Sequence, residues 1–464
     1  DSRGFAVQRS TENDDILIPS RSMNLNSNLI SDTPATNLNH HHVLINDLYF
    51  ENDNTKEELI NESDDQNILK IGKNLAPHQK QVLTELIESN ATIFSKAKFD
   101  LGRIKSQKCF IDLTSNIPIN LRPYQLSIVD QEKVKNQLNE LLANRLITKS
   151  KSAYSSPIVL VDKKDDGEKT RLCVDYRKIN SITIVENYPM PRINDIQDRL
   201  LNAKFFSTLD IACSFHHIEI DEKDRHKTAF VTMDEHFEWV VMPFGLRNAP
   251  LIFQRILFNI LKIHELTKFC HNYVDDVIIF SCTFKEHVEN LAKVFEAFKI
   301  ENIKLKRSKC VFADETVTYL GHQISYNQIR PVNSNISAII NFPVPTSKKS
   351  LQSFLGKVNY YHRFIANRAT LLAPLYNLLH KDKIFEWTTE AKDSFEKVKV
   401  ILTSDPVLVI FDPDKPIQIA TDASNEGIGA VLMQNHHEEN RTVAYFSKSF
   451  LHIKKIIMYL KKNV

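Results

Sequence analysis

Two short apolar runs flank a pair of acidic residues in the second half of the chain. Residues 269–272 and 277–280 are rich in aromatic and β-branched side chains and contain neither Gly nor Pro. That composition is typical of buried antiparallel strands joined by a tight turn. The pattern therefore predicts a β-hairpin with Asp275 and Asp276 at its tip.

Apolar residues at helical spacing predict amphipathic helices elsewhere. Two cover about residues 75–97 and 126–146, and Ser127 is a suitable N-cap for the second. Another is expected over residues 287–298, and a further one begins near Thr346. The apolar face of this last helix is formed by Leu351, Phe354, Leu355 and Val358.

Residues 156–176 predict a second hairpin, because the Asp166-Gly167 turn separates two apolar runs. Basic residues surround the turn: Lys163, Lys164, Lys169 and Arg171. Such a cluster can hold a triphosphate. A solvated surface hairpin is the alternative, because charged residues are common in turns.

Strand patterns return towards the end of the sequence. Residues 317–322 predict a single strand. From Pro416 onward, strands are expected at residues 417–420 and 430–432, on either side of Asp422. The stretch between these regions has helical character, so a helical subdomain follows a mixed α/β one.

Composition limits the class of protein. A length of 464 residues suits about three domains of roughly 100–200 residues, and 42% hydrophobic with 25% charged residues is ordinary for a globular chain. No apolar run approaches the ~18 residues of a membrane span and no signal sequence opens the chain, so we expect a soluble protein that is not secreted. The six cysteines form no C-x-x-C pair, which favours reduced, mostly buried thiols.

Charge is distributed unevenly. Residues 1–100 hold 9 Lys and Arg against 16 Asp and Glu, and the remainder holds 50 against 41. The mildly basic remainder is compatible with a nucleic-acid groove without requiring one. Residues 1–67 hold eleven Asn and no sustained apolar period, so we expect a disordered linker there.

A third acidic residue, Asp210, ends another apolar strand pattern, at residues 205–211. It precedes Asp275 by 65 residues. Adjacent carboxylates on a rigid turn repel each other, so they are tolerated mainly where divalent cations neutralise them. Asp210, Asp275 and Asp276 are the minimum set for a two-metal site of in-line phosphoryl transfer.

A series of motifs in one order resembles a known family, over about residues 74–447. No single motif would suffice, but the ordered set is specific. The motifs are LRPY at 121–124, SSPIV at 155–159, RLCVDYRKIN at 171–180, YPMPRI at 188–193, MPFGLRNAP at 242–250, YVDD at 273–276, YLGH at 319–322, NYYHRF at 359–364 and TDAS at 421–424. Together they resemble the reverse transcriptase and ribonuclease H region of a Ty3/gypsy-type long-terminal-repeat (LTR) retrotransposon Pol polyprotein.

The resemblance implies an α+β fold. A right-hand polymerase of fingers, palm and thumb would be followed by an incomplete ribonuclease H-like α/β domain. The implied domains are a disordered Asn-rich and acidic linker at 1–70, a helical segment at 71–122, fingers and palm at 123–320, a thumb and connection at 321–411, and a truncated ribonuclease H-like domain at 412–464.

The resemblance also makes Asp210, Asp275 and Asp276 the catalytic and metal-binding carboxylates of the palm. They would hold two Mg²⁺ ions, with Mn²⁺ as an alternative. Asp210 and Asp275 are the preferred bridging ligands, and Asp276 is a supporting charge. Taken singly, Asp210 could instead be a strand-end or helix-capping acid.

Four further residues are implied to bind the nucleotide. Lys164 and Arg171 would grip the triphosphate, although Lys163 could replace Lys164. Phe215 would crowd the sugar 2′ position, and Phe244 would pack beside the nucleotide and template. Taken singly, Phe215 could be a core aromatic and Arg171 a surface strand residue.

Two other implied sites lie towards the C-terminus. Leu320 and Gly321 would form part of the primer grip, where a close backbone approach makes Gly useful. Asp422 would be the first metal ligand of the ribonuclease H. That chemistry needs further acids, and no Asp or Glu follows Ser447, so we expect an inactive ribonuclease H, truncated or altered by a frameshift.

One departure from the family pattern lies beside the first palm carboxylate. Family members usually have Gly where this chain has Ser214, in the run Ala212-Cys213-Ser214. The added side chain would lie close to the nucleotide. We expect it to narrow the pocket and alter kinetics before it abolishes activity.

The implied function is RNA-directed DNA synthesis. The partners would be an RNA template, a DNA or tRNA primer, the RNA–DNA hybrid, deoxynucleotides and other parts of a Pol polyprotein, with no membrane and a location in cytoplasmic particles. An RNA-dependent RNA polymerase shares the double-Asp hairpin, but Phe215 and the Asp422 region favour DNA synthesis. The other alternative is an inactive remnant that only binds primer–template.

Overall fold

The computed structural model of the protein describes residues 69–162, 170–380, 383–423, 427–436 and 439–449. All of them belong to one unit within Leu59–Val464. The expected linker at 1–67, the basic turn with Lys163, Lys164 and Lys169, and the tail from residue 450 lie outside the described residues. No helix among those described is both long and apolar enough to cross a membrane.

The secondary structure alternates between strands and helices. The strands are β1 (Lys70–Ile71), β2 (Ile147–Lys149), β3 (Ser156–Asp162), β4 (Thr170–Val174), β5 (Phe205–Asp210), β6 (Phe230–Val231), β7 (His236–Trp239), β8 (Cys270–Tyr273), β9 (Asp276–Ser281), β10 (Val311–Asp314), β11 (Val317–Tyr319), β12 (His322–Ser325), β13 (Gln328–Pro331), β14 (Leu408–Val409), β15 (Ile417–Ala423), β16 (Gly427–His436) and β17 (Glu439–Ser449). The helices are α1 (Pro77–Ser89), α2 (Ile128–Ala143), α3 (Arg177–Ile182), α4 (Ile193–Asp198), α5 (Glu222–Arg225), α6 (Ala249–Ile263), α7 (Phe284–Ile300), α8 (Asn333–Ile340), α9 (Lys348–Tyr360), α10 (Arg368–Asn377) and α11 (Thr389–Thr403).

The carboxylate-bearing strands lie in a five-stranded sheet of order β1-β10-β5-β9-β8. β8 and β9 are antiparallel, with Tyr273 opposite Asp276, so the predicted double-Asp hairpin is confirmed. Both faces of this sheet are buried, because Val277 packs into one hydrophobic core and Ile278 into another. Burial on both faces explains why residues 277–280 are uniformly apolar rather than alternating.

A second five-stranded sheet has the order β2-β7-β6-β3-β4. Its antiparallel β3–β4 pair confirms the strands of the second predicted hairpin. Helix α2 begins after Ser127, whose side chain accepts a hydrogen bond from the Asp130 amide over 3.1 Å, as predicted for an N-cap. The Gln137 side chain accepts from the Leu172 amide over 2.9 Å and so ties α2 to β4.

The predicted single strand over residues 317–322 is wrong. β11 ends at Tyr319 and β12 begins at His322, and between them Leu320 and Gly321 adopt φ values of 44° and 65°. A two-residue turn with positive φ at both positions matches the twist of an antiparallel pair. The segment is therefore a tight hairpin within the sheet β11-β12-β13-β14.

The second hydrophobic core joins this hairpin sheet to helices α8–α11. Leu351, Phe354, Leu355 and Val358 of α9 are buried, as the periodicity predicted. The same core includes Phe206 of β5. Thus the helical part packs directly on the carboxylate-bearing sheet. The domain boundaries stay predictions, and the one between residues 320 and 321 would divide the two residues of one turn.

Two further predictions can be compared with the fold. Helix α1 ends at Ser89, earlier than expected, because the Asn90 side chain donates to the Leu86 carbonyl over 2.9 Å and a 3₁₀ turn follows. The expected strands after Pro416 are confirmed as part of the sheet β15-β16-β17. All six cysteines are free, and Cys109, Cys270 and Cys310 are buried.

Candidate active site

Asp210 and Asp276 lie directly opposite each other on the neighbouring strands β5 and β9. Side chains of opposed residues in an antiparallel pair share a face, with Cβ atoms about 4.5–5.5 Å apart. By alternation along the strands, these carboxylates continue the face that carries Phe206 and Ile278. The fold therefore brings two of the three predicted carboxylates together at the end of the sheet.

Asp275 occupies the turn of the same hairpin, where Val274 has a φ of 53°. A buried glutamine on α6 holds this turn. The Gln254 side chain accepts from the Val274 amide over 2.5 Å and donates to the Asn272 carbonyl over 3.3 Å. Sequence reasoning missed Gln254, although a glutamine inside the apolar helix Ala249–Ile263 was a signal that it has a buried partner.

Ser214 makes a direct contact with Asp275. Its hydroxyl donates to Asp275 Oδ2 over 3.2 Å, and the residue is only 2% exposed. The side chain is thus turned to the carboxylate within the protein. The expectation of a narrowed pocket assumed that this side chain faces the nucleotide. Instead it faces Asp275 and is buried.

Burial shifts Asp275 and Asp276 towards their protonated forms, and repulsion by neighbouring carboxylates adds to the shift at Asp276. Burial raises the pKa of Asp275, opposed by the hydrogen bond from Ser214 and the charge of Lys309. The pKa of Asp276 is raised to about 7, chiefly because the surrounding protein desolvates its carboxyl group and then by the charges of Asp275 and Asp210. This happens although the Asp276 residue is exposed at the surface. Bringing a cation to this cluster would favour the charged forms.

Lys309 is a second residue that sequence reasoning missed. It ends the 3₁₀ turn Arg307–Lys309, directly before β10, and its charge lowers the pKa of both Asp275 and Asp276. The Lys306 amide just before this turn donates to the Asp210 carbonyl over 2.9 Å. The available signal was a lysine beside a strand that pairs with β5.

The donor chemistry of the three carboxylates fits Mg²⁺, a hard cation that prefers oxygen ligands. The raised pKa values of Asp275 and Asp276 are the second observation, because a bound cation would favour the charged forms of these two groups. As the side chains stand, no three His, Cys, Asp or Glu residues among the described ranges form a coordination sphere. The site thus has oxygen ligands suited to a metal ion, but their side chains are not arranged as a complete coordination sphere.

Two of the predicted nucleotide-binding residues are in contact. The rings of Phe215 and Phe244 have centroids 5.0 Å apart. Phe215 is 5% exposed and also packs on Phe253, whereas Phe244 is 51% exposed. Phe244 follows Pro243 in a turn whose Gly245 has a φ of 90°. Phe244 is therefore available to a ligand, and Phe215 supports it from below.

The two predicted triphosphate contacts differ in what can be described. Arg171 is exposed on β4, opposite Val161. Burial raises the pKa of Cys213 and the charge of Arg171 opposes that rise, so Arg171 lies within electrostatic reach of the loop after Asp210. Lys164 lies outside the described residues.

The other predicted site residues fall at two places. Leu320 and Gly321 form the β11–β12 turn, and Tyr319 beside them donates from its hydroxyl to the Asp276 carbonyl over 3.2 Å. The primer-grip candidates are thus connected to the carboxylate hairpin. Asp422 is exposed on β15, opposite Gly429, in a different sheet.

Two family models match the chain. Residues 161–324 match reverse transcriptase (RNA-dependent DNA polymerase), and residues 387–463 match the RNase H-like domain found in reverse transcriptase. The first match contains Asp210, Asp275 and Asp276, and the second contains Asp422. Fold and motif therefore define the reverse transcriptase class.

Curated relatives narrow the assignment. The chain is 41% identical over 334 residues to the retrovirus-related Pol polyprotein from transposon 297 of Drosophila melanogaster, covering 71% of this chain and 31% of that protein. It is 36% identical over 355 residues to the Pol polyprotein from transposon gypsy of the same organism, covering 73% and 34%. With the transposon Tf2-3 polyprotein of Schizosaccharomyces pombe it shares 33% identity over 347 residues, covering 74% and 26%.

The chain belongs to the reverse transcriptase and ribonuclease H-like region of Ty3/gypsy-type LTR retrotransposon Pol polyproteins. It spans 26% to 34% of the length of these three relatives.

Solved structures agree on the fold. The foamy viral protease-reverse transcriptase in complex with dsDNA superposes with a TM-score of 0.73 at 24% identity, covering 84% of this chain and 82% of that one. The same viral protein in complex with RNA/DNA hybrid gives 0.72 at 23% identity, covering 84% and 53%. The α+β right-hand fold with an RNase H-like part is confirmed.

Proposed function

We propose that the chain is an RNA-directed DNA polymerase that adds deoxynucleotides to a primer 3′-hydroxyl. The observation that carries this proposal is the convergence of Asp210 with the Asp275–Asp276 hairpin inside a reverse transcriptase fold. The matching family is named for the same activity. An RNA-dependent RNA polymerase lacks the support of the adjoining RNase H-like match.

Asp210, Asp275 and Asp276 are the residues that would hold two Mg²⁺ ions, with Mn²⁺ as an alternative. When bound, such ions activate the attacking hydroxyl and stabilise the leaving pyrophosphate. The chain's own contribution is placement. Gln254 fixes the hairpin turn, and Ser214 orients one Asp275 oxygen.

The remaining residues would handle the substrates. In this proposal Arg171 and Lys164 contact the triphosphate, since a guanidinium suits bidentate phosphate contact. The exposed Phe244, backed by Phe215, packs on the nucleotide and template. Leu320 and Gly321 hold the primer strand.

The proposed partners are an RNA template, a DNA or tRNA primer, the RNA–DNA hybrid and deoxynucleotides. The foamy viral reverse transcriptases of the same fold are named as complexes with dsDNA and with RNA/DNA hybrid. Work inside cytoplasmic particles, beside other parts of a Pol polyprotein, is part of the same proposal.

The RNase H-like part is proposed to be inactive. Asp422 is exposed and is joined by no metal-binding cluster in the described residues. The test is cleavage of a labelled RNA–DNA hybrid with Mg²⁺. Cleavage that disappears in Asp422→Asn would overturn this part of the proposal.

Primer extension tests the polymerase proposal. A DNA primer on an RNA template is incubated with deoxynucleotides and Mg²⁺, comparing the parent chain with Asp275→Asn. Incorporation by the parent alone supports the proposal. Hybrid binding without incorporation by the parent would overturn it in favour of a remnant that only binds primer–template.

A further inference from the structure

The β11–β12 turn is held from one side by aromatic side chains. The Tyr360 hydroxyl donates to the Leu320 carbonyl over 2.8 Å, and the Tyr361 hydroxyl donates to the Gly321 carbonyl over 2.8 Å. His322 Nδ1 lies 2.7 Å from the same Leu320 carbonyl. Since a carbonyl oxygen only accepts, Nδ1 carries the proton. Both carbonyls of the turn are therefore bound by side chains.

These side chains are themselves fixed by packing. His322 is stacked against Tyr360 and Phe364, at centroid distances of 5.5 Å and 5.8 Å. The Asn335 amide donates to the Tyr361 hydroxyl over 3.0 Å. His322 and Tyr361 are buried. Because each group has a packed neighbour, the turn cannot shift without moving the end of α9.

The strand that leads into the turn contacts the carboxylate hairpin. Tyr319 is 3% exposed, and its hydroxyl donates to the Asp276 carbonyl over 3.2 Å. One β-hairpin thus binds α9 through its turn and the carboxylate-bearing strand β9 through its first strand. The distance from α9 to the carboxylates is fixed by hydrogen bonds at both ends.

We propose that Tyr360 and Tyr361 are positioning residues that set the height of the Leu320–Gly321 turn relative to the palm carboxylates. This rests on the proposed function, with the primer strand as the ligand of the turn. Leu320 has a positive φ, a conformation that a residue other than glycine keeps only where its surroundings support it. A misplacement of about 1 Å in a reacting group can cost on the order of 100-fold in rate, so a loosened turn slows extension.

The test compares the double variant Tyr360→Phe/Tyr361→Phe with Tyr376→Phe. The control removes a hydroxyl of the same kind, which donates to the Asn359 side chain over 3.0 Å and joins α10 to the same end of α9 without bonding to the turn. Three quantities are measured: the single-turnover extension rate, the Kd for primer–template, and the hydrogen exchange of amides 319–322. We expect the double variant to extend about tenfold more slowly or worse, with faster exchange in the turn and a Kd within about threefold of the control.

A double variant that matches Tyr376→Phe in rate or in turn exchange would overturn the proposal. A weaker Kd with an unchanged rate would also overturn it, because the tyrosines would then serve binding alone. If the parent itself extends no primer, the proposed polymerase function fails. Hydrogen exchange then tests separately whether Tyr360 and Tyr361 position the turn. The positioning role is supported if added primer–template protects the turn amides from exchange in the parent but not in the double variant. Equal protection in both proteins overturns it.

Discussion

The Ser214 hydroxyl donates a hydrogen bond to Asp275 Oδ2 over 3.2 Å at the tip of the carboxylate hairpin. Ser214 is buried, so water does not compete for this bond. Hydrogen bonds to charged groups contribute about 1.5–3 kcal/mol. The family resemblance makes glycine usual at this position. A glycine has no side chain, so it could not make this hydrogen bond to Asp275.

Ser214→Ala and Ser214→Gly should both raise the Mg²⁺ concentration that primer extension requires. The lost donor leaves Asp275 less oriented and its pKa higher, since that hydrogen bond lowers it. We expect the Mg²⁺ concentration for half-maximal rate to rise by roughly threefold to tenfold, the equivalent of about 0.7–1.4 kcal/mol. Ser181→Ala, which removes an exposed serine hydroxyl bound to the Lys178 carbonyl, is the control. An effect in the glycine variant alone would point to backbone freedom instead of the hydroxyl.

Gln254→Leu should destabilise the carboxylate hairpin. The variant leaves the Val274 amide and the Asn272 carbonyl without their buried partner. An unsatisfied buried group costs about 1–3 kcal/mol, so the free energy of unfolding should fall by roughly 2 kcal/mol or more. Urea unfolding measures it. Gln131→Ala, at an exposed position of α2, should change stability by less than about 0.5 kcal/mol. An equal loss in both variants would contradict this account.

The parts of the site that could be predicted are those written in local patterns. Short runs rich in aromatic and β-branched residues, without Gly or Pro, on each side of two acids predicted the β8–β9 hairpin, because that composition favours strands. The apolar face of α9 followed from helical spacing, with Leu351 and Val358 one period of seven residues apart. The ordered motifs then supplied the fold.

The parts that could not be predicted depend on contacts between distant segments. The direct pairing of Asp210 with Asp276 is a matter of strand register, which no local pattern specifies. The turn in residues 317–322 could not be predicted from Leu320, because leucine is an ordinary strand residue and rarely adopts positive φ. The partner of Gln254 lies 20 residues away and becomes visible only after α6 packs on β8.

His287 should make the metal-free protein sensitive to acid. It lies buried between Ser207 Oγ at 2.7 Å and Ser281 Oγ at 3.1 Å. Burial lowers its pKa from 6.5 to about 3, so the folded state keeps it neutral. Between pH 6.5 and 3 the unfolded chain binds the additional proton, and stability therefore falls as the pH falls through this window. The loss from this one group is about 2 kcal/mol at pH 5.

His287→Gln should remove this contribution to the pH dependence of the free energy of unfolding. The variant should be less stable than the parent at pH 7.5, because its hydrogen bonds to the two serines are altered. Its further loss between pH 7.5 and pH 5 should be smaller than the parent's by about 2 kcal/mol. Urea unfolding in EDTA at both pH values is the measurement, with His78→Gln on the exposed side of α1 as control. Parallel pH profiles for parent and His287→Gln would refute the assignment.

Gly321→Ala should damage the β11–β12 turn, whereas Gly356→Ala should not. At Gly321 the φ is 65°, and an added Cβ would lie 3.1 Å from Tyr360 Cε1 and 3.2 Å from Asn335 Nδ2. At Gly356, inside α9, an added Cβ meets nothing within 4 Å. The first change places a side chain in left-handed backbone, at a cost of about 1–2 kcal/mol. The second removes a helix-interior glycine and gains about 0.5–1 kcal/mol.

The two alanine variants should therefore shift thermal unfolding in opposite directions. The nearest of the crowded atoms at Gly321 belongs to Tyr360, whose hydroxyl binds the Leu320 carbonyl. Gly321→Ala should therefore also slow primer extension, and Gly356→Ala should leave it unchanged. Differential scanning calorimetry and single-turnover extension measure the two effects. A Gly321→Ala protein as stable as the parent would mean that the turn relaxes to negative φ, and its tight geometry would then not be what holds the primer strand.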